Sequence, residues 1–134
     1  MQTKSKMDFN IKKGIQGNQT KIVEKKDVAN QYGSGTLKVF ATPAMIALME
    51  KTAFISIESI LPKGYSSVGI EINVQHTKAS LPGAIITCKS ELININDKKV
   101  SFNIFAFDES GLIGKAEHVR YIINSAEFMN KLHK

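Results

Sequence analysis

The stretch from Thr42 to Leu61, TPAMIALMEKTAFISIESIL, constrains this chain more than any other. Pro43 suits a first helical position, where its missing N–H would have no intrahelical partner anyway, and Thr42 before it suits an N-cap. Pro62 and Gly64 close the run. A helix of about 20 residues spans roughly 30 Å. Met45, Ile46, Leu48, Met49, Phe54, Ile55, Ile57 and Ile60 put apolar groups on nearly every side of it, and a helix apolar all round is one that becomes buried. Inside it sits Glu50, flanked one turn away by Ile46, Ala47, Ala53 and Phe54, where desolvation makes protonation sensitive to surroundings.

Beyond the helix the period changes to two. Val68, Ile70, Ile72, Val74 and His76 share one face of a strand, and Gly69, Glu71, Asn73 and Gln75 the other. Pro82 and Gly83 turn the chain into a second strand, Ala84 to Ile95. NDKK leads into a third, Val100 to Phe107, and DESG into a fourth, Leu112 to Ile123. Short connections make these antiparallel neighbours. Before the helix, residues 1–18 read as a flexible arm or a first edge strand, Thr20 to Val28 as an imperfectly alternating strand, and NQYGSGT as turns. The GSG glycines lack the Lys-Ser/Thr that a phosphate loop needs. The expected fold is therefore α+β, one antiparallel sheet wrapped around one long central helix, in a single domain over 1–134.

At 134 residues the chain has room for one real core. The net charge of +6 suits a polyanionic partner, yet the lysines are scattered, without a basic stripe or paired aromatic platforms, which argues against nucleic acid. A lone cysteine, Cys88, forms no internal disulfide and no Cys-rich metal site; neither metal nor cofactor is expected. With no apolar leader in MQTKSKMDFNIKKG and no apolar run that spans a bilayer, the expectation is a soluble, cytoplasmic protein with no membrane partner.

A sheet around one apolar helix is the hot-dog architecture, and three segments carry a closer likeness: VFATPAMIALMEKTA, SSVGIEINVQHTKASLPGA and GLIGKAEHVRYII. Together they resemble the hot-dog thioesterases related to fluoroacetyl-CoA thioesterase, over roughly Val39 to Phe128. The shared pattern is a Thr eight residues before a helical Glu, a Gly-x6-His on the next strand and a His-x-Arg on the last. The resemblance implies a catalytic set of Thr42, Glu50 and His76 hydrolysing a short-chain acyl-CoA in a homodimer, with Gly69 and Arg120 binding substrate. The approach TLKVFAT departs from the aromatic lid of the fluoroacetate-selective member, so the resemblance implies thioester hydrolysis rather than that selectivity.

The residue types fit such chemistry. Thioester hydrolysis needs a nucleophile or activated water, a proton carrier and donors for the developing oxyanion. Glu50 can serve as base or nucleophile, His76 can carry protons near neutrality, and Thr42 can orient water or Glu50. Main-chain N–H groups at the helix start can form the oxyanion hole. Eight helical residues separate Thr42 from Glu50 by roughly 12 Å along the axis. They meet only if Thr42 folds back over the helix or if two chains share the site, and a dimer interface is the expectation. Plainer roles stay open: an N-cap for Thr42, a lysine partner for Glu50, a hydrogen-bonded structural imidazole for His76, a bulge for Gly69, and carboxylate partners for His118 and Arg120. The alternative function is a non-catalytic hot-dog module that binds acyl-CoA or another small acyl ligand.

Overall fold

The computed structural model describes residues 9–133. The first eight residues of the expected arm and the last residue lie outside that range. From Gln16 onward the arm is strand, and Phe9 is buried edge-on against Tyr65. The elements are β1 (Gln16–Ile22), a 3-10 turn (Lys25–Asp27), α1 (Ala29–Tyr32), α2 (Thr42–Glu58), β2 (Tyr65–His76), β3 (Ile85–Asn96), β4 (Lys99–Asp108), β5 (Gly111–Asn124) and α3 (Ser125–Leu132). The five strands form one antiparallel sheet in the order β1-β3-β4-β5-β2, with α2 packed across it. This is the expected α+β hot-dog arrangement.

The expected strand from Thr20 to Val28 breaks at Ile22, and a local polar cluster accounts for the break. Asp27 accepts the Glu24 main-chain N–H at 2.8 Å and pairs with Lys21 at 3.0 Å, drawing Lys25–Asp27 into a 3-10 turn. The later strands follow their turns. Asp97, in the two-residue loop between paired Asn96 and Lys99, takes a φ of 59°, a left-handed conformation that Asp tolerates better than most residues. Among the described residues no helix is long and apolar enough to cross a membrane.

Two expectations for α2 change. Ala41, not Thr42, is the N-cap. The Phe40 N–H donates to Ser80 and the Ala41 N–H to Asp27, which holds the chain extended up to Ala41. Thr42 is then the first helical residue, and the helix stops at Glu58 rather than Leu61. Nor is the helix buried on every side. Ala44, Met45, Leu48, Met49, Thr52, Ala53 and Ile57 form the buried stripe against the sheet, whose inner face offers Ile86, Leu92, Val100, Phe102, Ile104 and Ile122. Ile46, Glu50, Phe54 and Glu58, each four residues from the next, run half-buried along one flank, while Ile55 is 41% exposed. A five-stranded sheet in one chain covers only one side of so apolar a helix.

Candidate active site

Two clusters of functional side chains lie on α2, one at its start and one midway. At the start, Thr42 Oγ1 is 2.8 Å from His76 Nδ1. Packing brings them together: His76 ends β2 opposite Gly114 of β5, and the bare Gly114 lets Met45 of α2 close onto the sheet. A Cβ built on Gly114 would stand 2.6 Å from Met45 Sδ. Phe40, fully buried, meets the His76 ring edge-on at 6.4 Å between centroids. Burial pulls the His76 pKa below its ordinary value, and the nearby Lys78 main chain offsets this in part. Its Nε2 is buried without a close partner among the described residues. A cavity of about 320 Å³ opens beside the pair, lined among others by Ser34, Phe40, Thr42, His76 and Lys78.

Midway along α2, the Glu50 carboxylate faces Gly69 of β2. A Cβ built there would stand 2.9 Å from Glu50 Oε2, 3.1 Å from His118 Cε1 and 3.4 Å from Arg120 Nη1. Three functional side chains thus converge on the space that glycine leaves empty. Strict alternation puts Gly69 on the face opposite His76. The structure resolves the conflict with a bulge: pairing with β5 runs Gly69↔Arg120 and then Glu71↔Val119, so Ile70 is the extra residue. Before the bulge Ser67 is buried and the open side of Gly69 faces Glu50, and after it Ile72, Val74 and His76 turn inward. Ile70 is turned out, 52% exposed.

Arg120 is buried and finds no carboxylate at ion-pair distance among the described residues. In place of carboxylate partners, the plainer role left open for His118 and Arg120, both meet neutral acceptors. Arg120 Nε donates to Ser67 Oγ at 2.8 Å, and Nη2 to the Ser67 carbonyl at 2.9 Å. Nη1 lies 3.1 Å from His118 Nε2. The guanidinium also stacks over Phe54, its carbon 5.5 Å from the ring centroid. Burial lowers the Arg120 pKa, and the charges of Glu50 and Glu58 act against that. Ser67 escaped the sequence reading. The signal lay in the SSVG run, which supplies hydroxyls opposite a last strand carrying an unpaired arginine.

Within one chain, then, Thr42 meets His76, and Glu50 meets Gly69 and Arg120, but the two clusters stay apart. Thr42 does not fold back; it lies in the regular helix, roughly 12 Å of axial rise from Glu50. In TLKVFAT, Phe40 is turned into the core while Leu37 is 67% exposed. No group of three or more His, Cys, Asp or Glu among the described residues is arranged to hold a metal ion.

Residues 23–126 match the family described as FlK, fluoroacetyl-CoA-specific thioesterase. The chain is 33% identical over 97 residues to the fluoroacetyl-CoA thioesterase of Streptantibioticus cattleyicolor, spanning 72% of this chain and 70% of that protein. A solved structure of the fluoroacetyl-CoA thioesterase FlK superposes with a TM-score of 0.86 at 27% identity, over 92% of this chain and 96% of that one. A hot-dog-like protein from Thermanaerovibrio acidaminovorans also superposes at 0.86, over 94% of this chain and 95% of its own, but at 20% identity that likeness is one of fold alone.

Proposed function

The chain belongs to the fluoroacetyl-CoA-specific thioesterase family, a family of thioester hydrolases, and from that premise we propose that it cleaves a short-chain acyl-CoA to free acid and CoA. The site forms between two copies of the chain, each lending its Thr42–His76 pair to the other's Glu50. The observation that carries this reading is the division of the site: a 2.8 Å Thr42–His76 contact at one end of α2 and an accessible carboxylate eight residues on, too far away to join it. The position of β2 at the edge of the sheet, the half-buried flank of α2 and the exposed Ile70 support a homodimer.

In this scheme Glu50 either removes a proton from water as water attacks the thioester carbonyl, or attacks that carbon itself. The second route expels the CoA thiolate and leaves a mixed anhydride that water hydrolyses, regenerating the carboxylate. His76, kept neutral by burial, takes up and returns a proton at Nδ1 through the Thr42 hydroxyl. Main-chain N–H groups in the first turn of α2, unpaired within the helix and at its positive end, stabilise the oxyanion. The acyl end rests over Gly69, within reach of the Arg120 N–H groups. The crowding around Gly69, where a Cβ would stand 2.9 Å from Glu50 Oε2, favours a short acyl group.

Release of free thiol from acetyl-, propionyl- and longer acyl-CoAs, with the products identified by mass, tests the reading. Glu50→Gln should lower turnover at least about a hundredfold, the lower end for losing a positioned acid or base. Full turnover in that variant removes Glu50 from the mechanism. Binding of acyl-CoA without thiol release from any of the panel favours the non-catalytic module. Sedimentation that shows an active monomer removes the shared site.

A further inference from the structure

Arg120 donates hydrogen bonds and cannot accept them, which fixes the state of the imidazole beside it. His118 Nε2, 3.1 Å from Arg120 Nη1, must present a lone pair. The ring proton is therefore on Nδ1, which donates to the Glu71 main-chain carbonyl at 2.8 Å, where the strand register resumes after the bulge. His118 is 1% exposed and lies against the Phe102 ring. We propose that His118 is a positioning residue for the reaction above: as the neutral Nδ1–H tautomer anchored on Glu71, it uses its Nε2 lone pair to hold the Arg120 guanidinium beside Glu50 and Gly69. This rests on the thioesterase reading for its catalytic consequence, but the positioning itself rests on geometry alone.

Three of the five guanidinium N–H groups are occupied by Ser67 and His118. Two remain for an acyl group over Gly69. Protonating His118 would put a hydrogen on Nε2, setting donor against donor and cation against cation. The charged groups that face the ring are Arg120 from β5 and Glu50 from α2; β2 supplies only the Glu71 carbonyl. Burial holds the His118 pKa below its ordinary value, with the Arg120 charge adding to that and the Glu71 bond and Glu50 charge opposing it. The locked state therefore persists through neutral pH.

Two substitutions separate anchor from acceptor. His118→Asn can still reach the Glu71 carbonyl but leaves Nη1 without an acceptor, whereas His118→Gln extends an oxygen toward it. His118→Asn is expected to lower kcat about tenfold to a hundredfold, the worth of one hydrogen bond to a charged group, with KM little changed. His118→Gln should restore most of the loss. In ¹⁵N NMR the Arg120 Nη1–H signal should stay protected in wild type and in the Gln variant and be lost in the Asn variant. Equal kcat in wild type and a folded Asn variant, or a Gln variant no better than Asn, overturns the proposal. If the Asn variant does not fold, the wild-type chain decides: titration of the His118 ring and loss of the Arg120 signal must share one midpoint, and separate midpoints overturn it. Absence of thiol release by wild type from any acyl-CoA defeats the hydrolase reading instead, and the Arg120 signal then judges the positioning by itself.

Discussion

Adding one methyl group at position 69 perturbs the candidate site where its packing is tightest. Gly69 is not in the left-handed backbone region, so Gly69→Ala carries no conformational penalty, and alanine within a strand is favoured over glycine by about 0.5–1 kcal/mol. The cost is steric. A C···O contact settles at about 3.3–3.6 Å, so Glu50 Oε2, 2.9 Å from the new carbon, must retreat by about 0.4–0.7 Å. The Glu50 carboxylate has no hydrogen-bond partner among the described residues and yields freely, whereas His118 Cε1, 3.1 Å from the new carbon, must give by a few tenths of an ångström against its bonds to Glu71 and Arg120. Moving both falls within the roughly 1–3 kcal/mol typical of overpacking, and the backbone gain offsets part of it. Unfolding free energy should fall by no more than about 2.5 kcal/mol. Catalysis should not be spared: a displacement of about 1 Å can cost about a hundredfold, so roughly half that distance predicts about a tenfold fall in kcat/KM. Thiol release measured beside urea unfolding separates the two effects. A folded Gly69→Ala protein with unchanged kcat/KM would refute the claim that the Glu50 position over Gly69 governs the chemistry.

The pH behaviour of the His76 site follows from its depressed pKa: the neutral, proton-accepting ring should persist below pH 6.5, so kcat/KM should hold there and fall only on further acidification. His76→Ala should abolish that acid limb, and an identical pH profile would mark the ring as structural. The Asp108 carboxyl is held at about 2, chiefly by hydrogen bonds from Lys78 at 2.9 Å, helped by Ser110 and Ser80. The stability it contributes is present above its ordinary value of 3.8 and is lost as pH falls through about 2, so Lys78→Met should raise the pH of acid unfolding; no shift would deny the pair a stabilising role. Burial pushes the Cys88 thiol up to about 11, so native protein should resist alkylation at pH 8 and react on unfolding; rapid modification of the native fold would contradict its buried placement.

The sequence was most legible where turn chemistry and alternation agree. Pro82-Gly83, NDKK and DESG bracket β3 to β5, and the strand ends fall within one or two residues of the turns that predict them. It was least legible before the helix, where Thr20 to Val28 contains Val and Ile enough for a strand but also the Glu24 and Asp27 pair that closes a capping box. A local hydrogen-bond contest of that kind has no periodic signature. The N-cap was misplaced by one residue for a tertiary reason: distant carbonyls on Ser80 and Asp27 hold Phe40 and Ala41 extended, and no local pattern encodes those partners.

Parity made the site harder to read than the fold. Gly69 and His76 are seven residues apart, so a regular strand puts them on opposite faces, yet Gly69 must face Glu50 and His76 must face Thr42 if β2 serves both ends of α2. One inserted residue satisfies both, and the strand takes it at Ile70. The bulge thus connects the clusters: it turns Ser67 inward to hold Arg120 on one side and leaves the Glu71 carbonyl to His118 at the other. Deleting Ile70 should therefore remove the bulge yet leave both ends of β2 where they are. With it gone, six residues separate Gly69 from His76, and regular alternation keeps both on the inner face, opposite Arg120 and Gly114 as before. A folded deletion variant is expected to keep both the Arg120 locking and thiol release, and one that lost both would show that the bulge does more than set parity.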